Sequence, residues 1–135
     1  MYRLLYISTA RAPISALELS AILNVSRRNN DRAGVTGLLV SGGRRFLQAL
    51  EGDEAAVRTT VERIRLDPRH AGIVLLSQGQ VATRAFPRWS MGHQAGGAVI
   101  GDTSMAATIA ALIKPIADPS LRAYFTGFAE LHAAA

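Results

Sequence analysis

Hydrophobic and polar positions along the chain fall into segments of two different periods. Tyr2 to Ser8 is a near-continuous run of Leu, Tyr and Ile, the pattern of a central strand covered on both faces. Ser15-Ala-Leu-Glu18 reads as a capping box, with Ile14 before it and Leu19 after it placed to form a hydrophobic staple. A helix therefore begins there, with Leu19, Ile22 and Leu23 on one face, and is expected to fray near Arg27 to Asn30. The loop SRRNNDRAG leads through Gly34 into a second strand, Val35 to Val40. Ser41-Gly-Gly43 then turns the chain tightly into a third strand within RRFLQALEG, Arg44 to Gly52, which closes on the acidic turn Glu51-Gly52.

That third strand carries the first chemical question. Alternation puts Phe46, Gln48 and Leu50 on one face and Leu47 and Ala49 on the other, so the amide of Gln48 sits among core residues. A buried carboxamide has two donors and two acceptor lone pairs, and leaving them unpaired is costly. Something polar must meet it inside the domain.

Asp53 caps the next helix, whose Val57, Val61 and Ile64 recur at helical spacing and which ends near Leu66 to Pro68. Gly72 to Gln80 is a fourth strand. Ala85 to Gly92 is a turn followed by a short strand with Trp89 and Met91 on one face. The order βαββαβ plus an extra fifth strand predicts an α+β fold, a ferredoxin-like sandwich in which strands one and three are parallel central neighbours. Tyr6 then lies beside Gln48, and both face the helices. Gln94 to Gly101 reads as a glycine-rich connector. Asp102 starts a third helix with Met105, Ile109, Leu112 and Ile116 as its stripe, and Asp118-Pro119 starts a fourth with Leu121, Tyr124, Phe125, Phe128 and Leu131. These two C-terminal helices are expected on the opposite sheet face. The organisation is thus a domain over residues 1–95, followed by a connector and two capping or output helices over 96–135.

Composition narrows the classes. No uninterrupted apolar segment approaches the ~20 residues of a membrane span, and MYRLLYIS lacks the length and cleavage site of a signal peptide. With no cysteine there is no disulfide framework, which suits a cytoplasmic location. The net charge of +5 comes from 14 Arg and one Lys, but they are dispersed, and no helix carries a continuous basic stripe interleaved with aromatics, so no direct nucleic-acid contact is expected. There is no GxGxxG after a strand, no GxxxxGK[ST], no HExxH and no GxSxG, and three scattered histidines make no metal site. An enzyme is not expected.

Four features coincide: Tyr6, the segment SRRNN ending in Asn29-Asn30, Gln48, and WSMG at Trp89 to Gly92. The blocks LLYIS, SRRNNDRAGVTGLLV, RFLQALEG, IRLDPRH and RAFPRWSMG, in that order from Leu4 to about Gly92, resemble those of the BLUF family, the blue-light sensors that use flavin. The resemblance implies a noncovalently bound flavin, usually FAD, with FMN and riboflavin left open, between the helices Ser15 to Arg27 and Asp53 to Leu66. The planar ring needs aliphatic walls and a few placed amides. Ile22 and Val57 or Val61 are candidate walls, and Asn30 is expected to hold the imide edge, donating and accepting together.

By the same resemblance Tyr6 is the electron and proton donor and Gln48 the relay, which rotates or tautomerises and shifts the absorption to longer wavelength. A core tyrosine that merely finds a partner is the structural alternative for Tyr6 alone. Met91 and Trp89 are expected to pass the rearrangement outward, although such side chains also fill core gaps. Asp67 and Arg69 are candidates for the ribityl or phosphate tail and His70 for the ring; Arg65 lies with them at the helix end, where cations also favour the helix dipole. Ser8 and Ser26 are candidate hydrogen-bond donors, and Asn29 a supporting neighbour of Asn30. The expected partners are flavin, a second copy of the chain in a homo-oligomer, and an unidentified downstream signalling protein, reached by contact through the last strand and C-terminal helices. Fold alone also accommodates a colourless regulatory module binding a small metabolite or partner protein, or a nucleic-acid binder using the sheet.

Overall fold

The computed structural model describes residues 1–12, 15–42, 44–86, 92–95, 114 and 116–132. Its elements in chain order are β1 (Tyr2–Ala10), α1 (Ala16–Ala33), β2 (Thr36–Gly42), β3 (Arg45–Gly52), α2 (Glu54–Arg65), β4 (His70–Gln80), β5 (Gly92–Ala95) and α3 (Pro119–His132). The strands form one sheet in the order β4-β1-β3-β2-β5. This is the ferredoxin-like arrangement with an added strand.

The central pair corrects the expected direction: β1 and β3 are antiparallel, with Tyr6 directly opposite Gln48. The reason lies in the connections. A helical crossover returns β2 in the direction of β1, and the tight hairpin then reverses β3, which slots between them. Gly37 of β2 permits the close approach of β3, because a Cβ there would lie 2.0 Å from the carbonyl oxygen of Ala49.

Ser15 caps α1 as the pattern predicts: its Oγ accepts from the Glu18 N–H at 3.1 Å and its hydroxyl donates to the Glu18 carboxylate at 3.1 Å. The staple residue Ile14 lies outside the described residues. The expected fraying at Arg27 to Asn30 does not occur, and Asn29 and Asn30 belong to the helix rather than to a loop. The stop is Gly34, at φ 69°, and the Val35 N–H closes back on the Asn30 carbonyl at 2.9 Å. Asn30 is buried, so packing holds a turn that composition alone would release.

The two faces of the sheet bury separate cores. Tyr2, Leu4, Tyr6 and Ala10 of β1 join Leu39, Phe46 and Leu50 beneath Leu23 of α1 and Val57 and Val61 of α2. On the reverse, Leu5, Leu38, Val40, Leu47 and Ala49 pack with Phe86, Ile116 and the α3 residues Leu121, Phe125 and Phe128. The split on β3 follows the predicted alternation. Asp118 caps α3, its Oδ1 accepting from the N–H groups of Ser120 at 2.9 Å and Leu121 at 3.3 Å. Tyr124, expected in the buried stripe, is instead exposed at the shoulder of α3, its hydroxyl donating to the Leu76 carbonyl at 3.3 Å.

Further boundaries differ from expectation: β4 starts at His70 rather than Gly72, and β2 runs on to Gly42 through the expected turn. Glu51 and Gly52 are not a turn but the buried end of β3. The fifth strand, described over Gly92–Ala95, includes residues assigned to the connector, because it pairs in parallel with the otherwise open side of β2. Trp89, Met91, the remainder of the connector and the Met105, Ile109 and Leu112 stripe lie outside the described residues. Among the described residues no helix is long and apolar enough to cross a membrane.

Candidate functional site

A cavity of about 230 Å³ opens between α1 and α2 above the sheet. Tyr6 from β1, Leu39 from β2, and Phe46 and Gln48 from β3 form its floor. One helical face of α1, running from Leu19 through Ile22 and Ser26 to Asn29 and Asn30, makes one wall. Thr60 and Ile64 of α2 make the other, and Arg63, Asp67, Arg69 and His70 stand at the α2 end. The lining is mainly apolar, with the carboxamides of Asn30 and Gln48 buried at 1% and 4% exposure.

The polar partner demanded by Gln48 is Tyr6, whose hydroxyl donates to Gln48 Oε1 inside the core. The antiparallel register makes them direct cross-strand neighbours, where side chains on one face come closest. Burial pushes the Tyr6 phenol well above its ordinary pKa, so the hydroxyl keeps its proton across the physiological range and remains a donor.

At the α2 end, His70 lies edge-on to Phe46, with ring centroids 5.8 Å apart, and its Nδ1 is 3.1 Å from Ser8 Oγ. Burial lowers the His70 pKa, with Asp67 opposing and Arg69 reinforcing the shift. Arg69 grips Asp67 through its guanidinium, with Nε 2.9 and 3.0 Å from the two carboxylate oxygens, and through its backbone N–H at 2.9 Å. That grip holds the Asp67 carboxyl below its usual range.

Of the residues singled out from the sequence, the cavity brings together Tyr6, Ile22, Ser26, Asn29, Asn30, Gln48, Asp67, Arg69 and His70. Val57 and Val61 do not line it; they point into the core, and the wall assigned to them is built by Thr60 and Ile64. Ser8 stands behind His70, and Arg65 faces outward, paired with Glu62 at 3.4 Å. The cavity also uses Leu19, Leu39, Phe46 and Arg63, which were not singled out as binding residues. The wall residues Thr60 and Ile64 could have been found by periodicity, since they stand four apart on α2 in a row beside the Val57–Val61 row. Among the described residues no group of three His, Cys, Asp or Glu side chains is placed to hold a metal ion.

This site can bind a flat, largely apolar ring by its faces while two amides read a polar edge. The family model described as sensors of blue-light using FAD (BLUF) matches residues 1–92. Photoactivated adenylate cyclase subunit beta of Euglena longa is 38% identical over 89 residues, which are 65% of this chain and 10% of that protein. The chain thus spans about a tenth of the length of the curated relatives it first matches. Among solved structures, the photo-activated state of BlsA aligns with a TM-score of 0.71 at 26% identity, covering 99% of this chain and 96% of that one. The dark state of BlrB, a BLUF protein, gives 0.71 at 25% identity, with 96% of each chain covered.

Proposed function

The chain belongs to the BLUF family, a sensory rather than a catalytic module, and from that we propose that it senses blue light through FAD by way of Tyr6 and Gln48. The observation that carries the reading is the buried hydrogen bond from the Tyr6 hydroxyl to Gln48 Oε1 on the floor of a cavity walled by two helices. A pocket of about 230 Å³ is smaller than those that enclose whole drug-sized ligands, so it suits the tricyclic ring, with the tail leaving past Arg63, Asp67 and Arg69. Ile22 and Ile64 supply aliphatic walls. Asn30 and Gln48 offer donor and acceptor together, which an imide edge of alternating carbonyl and N–H requires. Asn29, Ser26 and His70 complete the rim.

When bound, a flavin supplies the blue-light chromophore and, once excited, an electron acceptor. With the ring excited, Tyr6 would give it an electron, and the hydroxyl proton would move along the existing hydrogen bond to Gln48 Oε1. Gln48 would then present an altered set of donors and acceptors, by rotation or by tautomerism, and Tyr6 would recover the electron from the reduced ring and its proton through Gln48, leaving no net oxidation. Residues 1–95 are the photosensor, and residues 96–135 carry the response by contact, with Met91 and Trp89 between them, to a separate protein or a second copy of the chain.

The test is direct. Purified protein is expected to be yellow, to release FAD on denaturation, and to show flavin bands that move to the red under blue light and recover in darkness. A protein that stays colourless after reconstitution with FAD overturns the reading and favours a metabolite-binding regulatory module.

A further inference from the structure

Glu51 is a wholly buried carboxylate that plays no part in the cavity. It lies three residues beyond Gln48 on β3 and therefore on the opposite face of the sheet. Its Oε2 accepts from Arg3 Nε at 2.8 Å and from the Ala85 N–H at 2.9 Å, and its Oε1 from the Phe86 N–H at 2.8 Å. Both branches end on α3. The Phe86 ring meets Phe125 edge-on at 6.0 Å, and Arg3 Nη1 reaches Oδ2 of Asp118, the α3 cap, at 3.4 Å.

The same residue is tied to the cavity side. Arg84 donates from Nη1 to the Glu51 carbonyl at 3.1 Å and to Thr36 Oγ1 at 2.7 Å, and from Nη2 to the carbonyl of Gly34 at 2.7 Å. Gly34 caps α1 one turn after Asn30. Residue 51 thus stands where the end of α1, the strand bearing Gln48 and the C-terminal helix are all fastened.

We propose that Glu51 is the positioning residue through which a change at Gln48 on β3 is passed to α3; this rests on the photosensor reading above. Removing the carboxylate alone would leave Arg3 and the 85–86 amides unpaired, but an apolar cluster in place of the whole network would hold the core about as well, so stability alone does not call for it. What a carboxylate with three charge-assisted bonds provides is fixed geometry: Phe86 and Arg3 must follow any tilt of β3 rather than slide over it. Two attachment points, at the cap and near the middle of α3, convert that tilt into a rotation of the helix.

The experiment uses the full chain loaded with FAD, and reads the red shift together with the difference in hydrogen exchange between dark and light over residues 119–132. Wild type is expected to show both. Glu51→Gln keeps the red shift at full size and loses the light–dark difference in α3; a merely structural role would raise exchange equally in both states and leave the difference intact. Asp118→Asn, which keeps the capping oxygen but removes the charge facing Arg3, is a variant at an exposed site and is expected to diminish the difference at the start of α3. The proposal is overturned if wild type shows the shift without the exchange difference, or if the difference survives in Glu51→Gln or, should that variant not fold, in Asp118→Asn. An absent red shift in wild type would instead defeat the photosensor reading itself.

Discussion

Tyr6 and Gln48 face each other across the two innermost strands, and the phenol donates to the amide oxygen. Replacing Tyr6 by Phe removes the donor and the redox-active group while leaving the ring volume. Tyr6→Phe is expected to fold with a loss of about 1 kcal/mol, to retain flavin, and to lose the reversible red shift, as read by light-minus-dark absorption. Gln48→Leu should lose the shift as well, since no amide remains to exchange partners. A normal photocycle in either variant would remove that residue from its assigned role.

Asn30 brings a buried carboxamide to the rim of the cavity from the last turn of α1. Truncation to Ala removes the donor and acceptor proposed above to meet the flavin ring. Its dissociation constant for flavin is expected to rise about tenfold, equivalent to about 1.4 kcal/mol, measured by fluorescence titration.

His70 makes stability depend on pH. Its folded pKa is lowered by burial from the ordinary 6.5, so below that value the unfolded chain binds a proton that the folded chain resists. The contribution is complete above about pH 6.5 and is lost as the pH falls through the lower folded value. Thermal melts between about pH 8 and about pH 5 should therefore show a steeper acid-side fall in wild type than in His70→Gln.

At Gly37, any side chain collides with the backbone of β3, the Cβ position being 2.0 Å from the Ala49 oxygen. Gly37→Ala is expected to cost about 1–3 kcal/mol by forcing β2 from β3, seen as a lower denaturation midpoint. An unchanged midpoint would mean that the strands part without penalty.

What could be read from the sequence was whatever local chemistry determines. The Ser15–Glu18 cap, the Asp118-Pro119 start and the alternation that turns Gln48 inward each depend on neighbours in the chain. The misreadings involve partners distant in sequence. Asn29 and Asn30 look like helix breakers until the burial of Asn30 and the Gly34 cap are known. Val57 and Val61 have the right spacing, but two adjacent rows on α2 share it, and only the tilt of the helix decides that Thr60 and Ile64 face the cavity. The antiparallel relation of β1 and β3 follows from counting chain reversals rather than from any residue. Glu51 resembles a turn acid because the cross-strand Arg3 and the 85–86 amides that neutralise it lie far away in the chain.

The position of Asn30, just inside the Gly34 stop, ties occupancy to helix winding. Helix ends are where winding is least secure, so a ligand held by Asn30, as proposed, would bind only the wound form. If flavin is held there as proposed, it draws the chain further toward the wound form, and by mass action the melting temperature climbs with free flavin concentration.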